Sequence, residues 1–341
     1  MRHQAQRSRY PGSDPSRVVF DARDAVAPEP RGWGRYARDL LHALERRDDV
    51  ELLPLARGWP GPELVWEQVA LPRILRREDA ALVHAPNCFL PLRRPCPGVV
   101  TIHDLAWEEY PKDFARTTGW KYRSFAPRAA RSAERVICVS EFTRDDVVRR
   151  YGIDEEKVRV IGEAPSLAIG TAEPPPGPYI LAVGDLRRKK NFGRLADAYG
   201  GLRRDGLPHR LVIAGRDAGE GPRLRAPGVE LPGYVPEEEL DAVMRGADLL
   251  VHPSLYEGFG LVIVEAMARG VPVAAARATA LAETGGDAAL YFDPLDVSDI
   301  ADTIRRALGD DQLSERGRAR AASLSWDDVA AQTTAVYREL L

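Results

Sequence analysis

Short apolar runs recur along the chain. Each is followed by a polar or Gly/Pro-containing stretch and then by a segment whose apolar residues have helical spacing. The runs are Val18–Phe20, Val50–Leu55, Ala81–Ala85, Gly98–His103, Arg135–Ser140 and Val158–Ile161, then, after an interruption, Tyr179–Val183, Arg210–Ala214, Val229–Leu231, Ala247–His252, Val271–Ala275 and Ala289–Phe292. They are continuous rather than alternating, as expected of strands buried on both faces of a parallel sheet. Helical spacing lies between them at Gly34–Arg46, Ser140–Tyr151, Asn191–Arg203, Glu237–Gly246 and Leu261–Ala268. Repeated strand-then-helix order predicts a doubly wound α/β fold.

The interruption, residues 165–178, carries Pro174, Pro175, Pro176 and Pro178. Consecutive prolines join neither a helix nor a central strand, so this segment is expected to be a stiff linker. It divides the chain into two Rossmann-like units, residues 17–164 and 179–325. In such sheets ligands bind beyond the carboxyl ends of the strands, so two units facing across a cleft offer a two-substrate site. A last helical pattern, Trp326–Leu341, lies beyond the second unit and can pack back across the first. Residues 1–16 are polar and are expected to be a disordered tail.

Composition narrows the classes. The 341 residues are 44% hydrophobic, enough for two cores, and the net charge of −3, from 48 basic and 51 acidic residues, gives no basic excess to favour nucleic acid as a partner. Cys88, Cys96 and Cys138 form no CxxC pair and no Cys/His cluster, so they are expected to be small buried residues of a reducing compartment. No apolar run approaches the roughly 18 residues that span a bilayer, and the N-terminus has no signal-peptide core, so the expected location is cytoplasmic.

The densest stretch runs from Pro253 to Val273. A strand ends near His252, a helix begins near Leu261, and a glycine-containing acidic turn lies between. Glycines let ligand atoms approach the backbone. The N–H groups of Gly258, Phe259, Gly260 and Leu261 then point outward at a helix N-terminus, which favours an anion or a polarised oxygen. Glu265 falls about one turn into that helix, where its carboxylate can accept two hydrogen bonds from a vicinal diol such as a ribose. An ordinary strand–turn–helix with a helix-favouring glutamate would also read this way.

Glu257 and Glu265 stand at an E-x7-E spacing, with Glu257-Gly258-Phe259-Gly260 before and Glu265-Ala266-Met267 and Gly270-Val271-Pro272-Val273 after. In this the chain resembles glycosyltransferase family 4, retaining enzymes of the two-Rossmann-domain GT-B fold. The resemblance covers nearly the whole chain from about Val18. It implies that Glu257 and the backbone of Phe259 and Gly260 contact hydroxyls of the transferred sugar, and that Glu265 holds the ribose. A second block, Val183 to Asn191, matches the family's basic loop, with Lys189 at its arginine position and Lys190 at its lysine. These imply a grip on the donor diphosphate, whose growing charge fixed cations stabilise; Lys189 keeps the sign of the family's arginine but not its fork. A third block, Thr101-Ile102-His103-Asp104-Leu105, places His103 at a strand end, near the reacting sugar in relatives, with Asp104 orienting it or nearby backbone. A fourth, Gly32-Trp33-Gly34-Arg35-Tyr36, resembles the family's G-I-G-R-Y helix start, and Gly32 and Gly34 there imply backbone donors toward phosphate or acceptor. Ser140 is placed to cap the helix that follows it, and Leu231 to Val235 correspond to a region near the nucleobase. Two places depart from the family: Ala282 stands where proline is usual, and Gly162-Glu163-Ala164-Pro165 replaces an Asn-Gly turn that touches the cleft.

Taken together, the resemblance implies front-face transfer with retention. The acceptor hydroxyl attacks from the leaving-group side, a diphosphate oxygen takes its proton, and Glu257 positions the sugar. No Asp-x-Asp occurs, so neither a metal nor another cofactor is expected. The pattern is similar to mannosyl- and rhamnosyltransferases of bacterial polysaccharide assembly. This makes GDP-mannose the first expected donor, and a glycan, glycolipid or small-molecule hydroxyl the acceptor. Other readings of the same architecture are a nucleotide-sugar 2-epimerase, a catalytically degenerate sugar-nucleotide-binding protein, and a NAD-dependent dehydrogenase, which lacks its G-x-G-x-x-G after the first strand. The segment from Lys112 to Arg131 reads either as an amphipathic face lying peripherally on the inner membrane surface or as a helix packed on its own domain.

Overall fold

The computed structural model describes residues 17–27, 32–56 and 61–341; the tail expected at 1–16 lies outside them. In the first unit the strands are β1 (Arg17–Asp21), β2 (Glu51–Leu55), β3 (Leu82–Ala85), β4 (Gly98–Ile102), β5 (Arg135–Cys138) and β6 (Val158–Val160), and the helices α1 (Gly32–Glu45), α2 (Glu63–Val65), α3 (Leu71–Arg77), α4 (Ala106–Glu109), α5 (Arg116–Ser132) and α6 (Glu141–Tyr151). In the second the strands are β7 (Tyr179–Val183), β8 (Arg210–Ala214), β9 (Val229–Gly233), β10 (Leu249–His252), β11 (Val273–Ala276) and β12 (Leu290–Phe292), and the helices α7 (Phe192–Arg204), α8 (Glu237–Arg245), α9 (Leu261–Ala268), α10 (Leu281–Gly285), α11 (Val297–Leu308), α12 (Leu313–Ala322) and α13 (Trp326–Arg338).

The strands form two six-stranded sheets, ordered β2-β1-β3-β4-β5-β6 and β12-β11-β10-β7-β8-β9, and each described pairing is parallel. This is the expected doubly wound α/β architecture. Continuous apolar runs form the central strands: every residue of β3, β4, β10 and β11 is buried. In the second sheet the chain winds outward in both directions from the β7–β10 neighbours, which opens a crevice at their carboxyl ends.

Local signals set the helix ends that matter here. Ser140 accepts a hydrogen bond from the Thr143 N–H and caps α6, which ends at Gly152 in the left-handed region. Lys112 to Arg131 spans a short turn and most of α5, whose Gly119, Ala126, Ala129 and Ala130 are buried against its own unit while Trp120 is 57% exposed.

Residues 161–178 join the units without helix or strand. Side chains hold this segment as well as its prolines: Arg245 donates to the carbonyls of Gly170 and Ala172, and Arg269 to those of Leu167 and Ala168. Both arginines also pair with the buried Asp241 of α8. The last helix, α13, returns to the first unit and packs on α1. Its Tyr337 hydroxyl lies 2.6 Å from Nδ1 of His84 on β3. Among the described residues no helix is long and apolar enough to cross a membrane.

Candidate functional site

The crevice at β7 and β10 receives two loops. After β7 comes a short turn, Arg188–Lys190, and after β10 the loop from Pro253 to Gly260 that leads into α9. Gly260 starts α9 at φ 100, a left-handed conformation that strains any other residue. Gly258 touches the opposite unit, since a Cβ there would overlap the carbonyl oxygen of His103.

These loops bring Lys189, Lys190 and Glu257 together. Nζ of Lys190 lies 2.6 Å from Oε1 of Glu257, and Nζ of Lys189 lies 3.8 Å from Oε2. Glu257 is 9% exposed. Burial alone would raise its pKa; the charges of Lys190 and Lys189, with the His252 ring 3.4 Å away, outweigh burial and hold the carboxyl well below its ordinary range. Burial likewise pulls Lys189 down, but Asp104, 3.3 Å away, and Glu257 carry it up. The site thus presents a fixed carboxylate and two fixed ammonium groups at the strand ends.

Glu265 lies one turn into α9, 0% exposed. Its Oε1 pairs with Arg35 of α1 across the cleft, while its Oε2 has no hydrogen-bond partner. Arg35 also lies 3.1 Å from Glu237 at the start of α8. Gly32 opens α1 at the surface and Gly34 is buried beside Arg35, so the helix start faces α9. Phe259 and Leu261 turn from the loop into a core shared with Val139 and Ile161 of the first unit.

His103 follows β4. Its Nδ1 lies 3.2 Å from Oε1 of Glu163 and its Nε2 2.9 Å from the Pro86 carbonyl oxygen. Both partners accept, so the ring satisfies both as an imidazolium. Burial favours the neutral ring, but Glu163, the Pro86 carbonyl and Asp104 outweigh it and raise the pKa above 6.5. In this arrangement both ring nitrogens are engaged by protein rather than left for a sugar. Asp104 accepts from the Ala106 N–H and meets Lys189, instead of touching the His103 ring.

Further contacts close the cleft. Ser140 Oγ and Thr143 Oγ1 donate to the Gly258 carbonyl at 2.5 and 3.2 Å. Glu283 on α10 accepts from the Glu141 N–H at 2.9 Å and the Phe142 N–H at 3.4 Å, an anion on the N-terminus of α6. Asp113 accepts from the Lys189 N–H, and its carbonyl from Arg187. Thr279, in the loop before α10, holds φ 52, a strained value for a β-branched residue, and accepts from the Glu257 N–H at 3.0 Å.

Sequence reasoning named every member of the Lys190–Glu257 cluster but missed several partners: Arg35, Glu163, Glu283 and His252. Arg35 lies in the helix-start match, Glu163 in the segment that replaces the family's Asn-Gly turn, and Glu283 beside Ala282, the other departure. No signal in the chain pairs them with residues far away in sequence. Among the described residues no group of three or more His, Cys, Asp or Glu side chains is placed to hold a metal.

Two family models match the chain: "Glycosyltransferase Family 4" over residues 30–163 and "Glycosyl transferases group 1" over residues 177–310. The chain is 32% identical over 299 residues to O-antigen chain mannosyltransferase B of Escherichia coli, covering 78% of this chain and 76% of that one. It is 29% identical over 319 residues to an MMP alpha-(1->4)-mannosyltransferase of Mycolicibacterium hassiacum, covering 83% and 76%. Among solved structures, sucrose-phosphate synthase from Thermosynechococcus elongatus superposes with a TM-score of 0.74 at 22% identity, over 95% of this chain and 99% of that one. Anabaena HepE in complex with UDP and glucose superposes with a TM-score of 0.70 at 19% identity, over 95% and 100%.

Proposed function

Since the chain belongs to the family 4 glycosyltransferases of GT-B fold, we propose that it moves a hexose, mannose first among them, from a nucleotide-sugar to a glycan, glycolipid or small-molecule hydroxyl, with retention and without a metal. The observation that carries this reading is the meeting of Lys190, Lys189 and Glu257 at the carboxyl ends of β7 and β10. A diphosphate leaving group gathers negative charge as the glycosidic bond breaks, and two ammonium groups fixed in a water-poor cleft stabilise it at that moment. Glu257, ionised across the working pH range, accepts hydrogen bonds from sugar hydroxyls and positions the ring. Glu265, with one buried oxygen unpartnered, accepts from the ribose diol once Arg35 yields. The acceptor hydroxyl attacks on the leaving-group face and passes its proton to a diphosphate oxygen. His103, with both ring nitrogens turned to protein acceptors, is no proton acceptor in this scheme. GDP-mannose is the first donor to try, on the strength of the mannosyltransferase relatives. The exposed Trp120 of α5 is the contact point if the acceptor sits in a membrane.

The test is a panel of GDP-, UDP- and dTDP-sugars, read by thermal shift and then by turnover in the presence of EDTA. A GDP-specific rise in Tm, with nucleotide release that increases with acceptor, supports the reading. A shift with UDP alone removes mannose from GDP-mannose, epimer formation without acceptor replaces transfer with epimerisation, and loss of turnover on chelation removes metal independence. Lys190→Ala should weaken nucleoside diphosphate binding at least tenfold, about 1.4 kcal/mol, and an unchanged affinity would take Lys190 out of the site.

A further inference from the structure

The last residue of β10, His252, lies behind the carboxylate and has no role in the scheme above. It is 2% exposed and is held in the sheet interior, in register with Ala275 of β11. Its Nε2 lies 3.4 Å from Oε1 of Glu257, the oxygen that Lys190 approaches to 2.6 Å. Neither ring nitrogen makes a close hydrogen bond. Buried polar atoms left this way cost stability and mark a function or a missing partner. Here the missing partner is adjacent but already taken by Lys190.

The charged groups set against His252 are Lys190 and Lys189 on the turn after β7 and Glu257 on its own loop, with Asp104 of the first unit behind Lys189. The two ammonium groups face the two carboxylates, and burial together with the lysines keeps the ring uncharged. A diphosphate on those lysines brings in negative charge and competes for Lys190. Glu257 would then be a buried carboxylate with a weakened partner, a costly state unless another donor steps in. His252 is the group in place to do so.

We propose that His252 is a positioning residue for Glu257: when a diphosphate draws on Lys190, the His252 ring takes over as the charged partner of that carboxylate, so that donor binding takes up a proton from water. The proposal rests on the donor reading given above. It makes the grip on the sugar conditional on the arrival of the diphosphate, because Glu257 is held by Lys190 until then and by His252 afterwards.

The experiment is calorimetric titration of the full chain with GDP and with UDP at about pH 7, in two buffers of different ionisation heat, for wild type and His252→Gln. Glutamine keeps an N–H donor near Glu257 but cannot gain a proton. The expected result is net proton uptake by the wild type, up to about one per site, which disappears in H252Q while nucleotide still binds. The wild-type minus variant difference cancels the ligand's own ionisation. No uptake in the wild type, or equal uptake in H252Q, overturns the proposal and leaves the donor reading intact. If H252Q is unfolded by circular dichroism, His252→Asn replaces it in the same comparison. Binding of neither nucleotide to folded wild type sinks the donor reading itself, and the proposal with it.

Discussion

Glu163 is 6% exposed, and its carboxylate faces Nδ1 of His103 at 3.2 Å. The pair sets a sign for the pH dependence of stability. The folded-state pKa of His103 is raised above its ordinary 6.5, so the folded state holds a proton that the unfolded chain releases. The stability this supplies is fully present below about pH 6.5 and is lost as pH rises through the folded-state value. Glu163→Gln removes the charge that carries the shift. Its destabilisation relative to wild type should therefore be largest in acid and narrow as pH rises above 6.5, and the His103 titration followed by NMR should move down. A His103 titration unchanged in E163Q would show that the carboxylate does not control the ring.

At the scale of elements, α13 ties the C-terminus to the first unit. Tyr337 is fully buried between α1 and the first sheet and bonds to His84, whose other ring nitrogen lies 2.9 Å from Thr101 Oγ1. Burial lowers the His84 pKa to about 3, so this ring is a neutral structural bridge. Tyr337→Ala should cost about 3–5 kcal/mol, the range for emptying a buried aromatic site, and should show in urea as early loss of the first unit. An unfolding midpoint within error of wild type would mean that α13 docks too weakly to matter. The twelve strands were legible because doubly buried parallel strands leave uninterrupted apolar runs, and the β10–α9 loop because its chemistry is local in sequence. The destination of α13 was not, since an apolar helix face does not name the surface that covers it. The same limit hid the pairing of Arg35 with Glu265, 230 positions apart, made only when the two units meet, and that of His103 with Glu163, made only when the first sheet brings the ends of β4 and β6 to one side.

At the scale of the whole molecule, the cleft is bridged by its own side chains. Arg35 on Glu265, Glu283 on the start of α6, Asp113 on the turn after β7 and Ser140 on Gly258 all bridge the units. Tyr256 adds a buried bridge: its hydroxyl donates to Oδ2 of Asp146 at 2.5 Å and accepts from the Leu105 N–H at 3.2 Å. With Glu265 fully buried and Glu257 nearly so, the nucleotide-sugar of the proposed function would enter through an opened state. Tyr256→Phe strips the bridge from the closed form only, because in the open form water satisfies Asp146 and Leu105. A hydrogen bond to a charged group is worth about 1.5 kcal/mol, so the open population should rise about tenfold. Nucleotide association, followed by stopped-flow tryptophan fluorescence, should accelerate by a similar factor. Turnover should fall, since the transition state needs the closed cleft in which water is excluded. Association at the wild-type rate in a Y256F protein that still binds would mean that entry is not gated by separation of the halves, and that the donor reaches Glu257 and Glu265 by side-chain rearrangement alone.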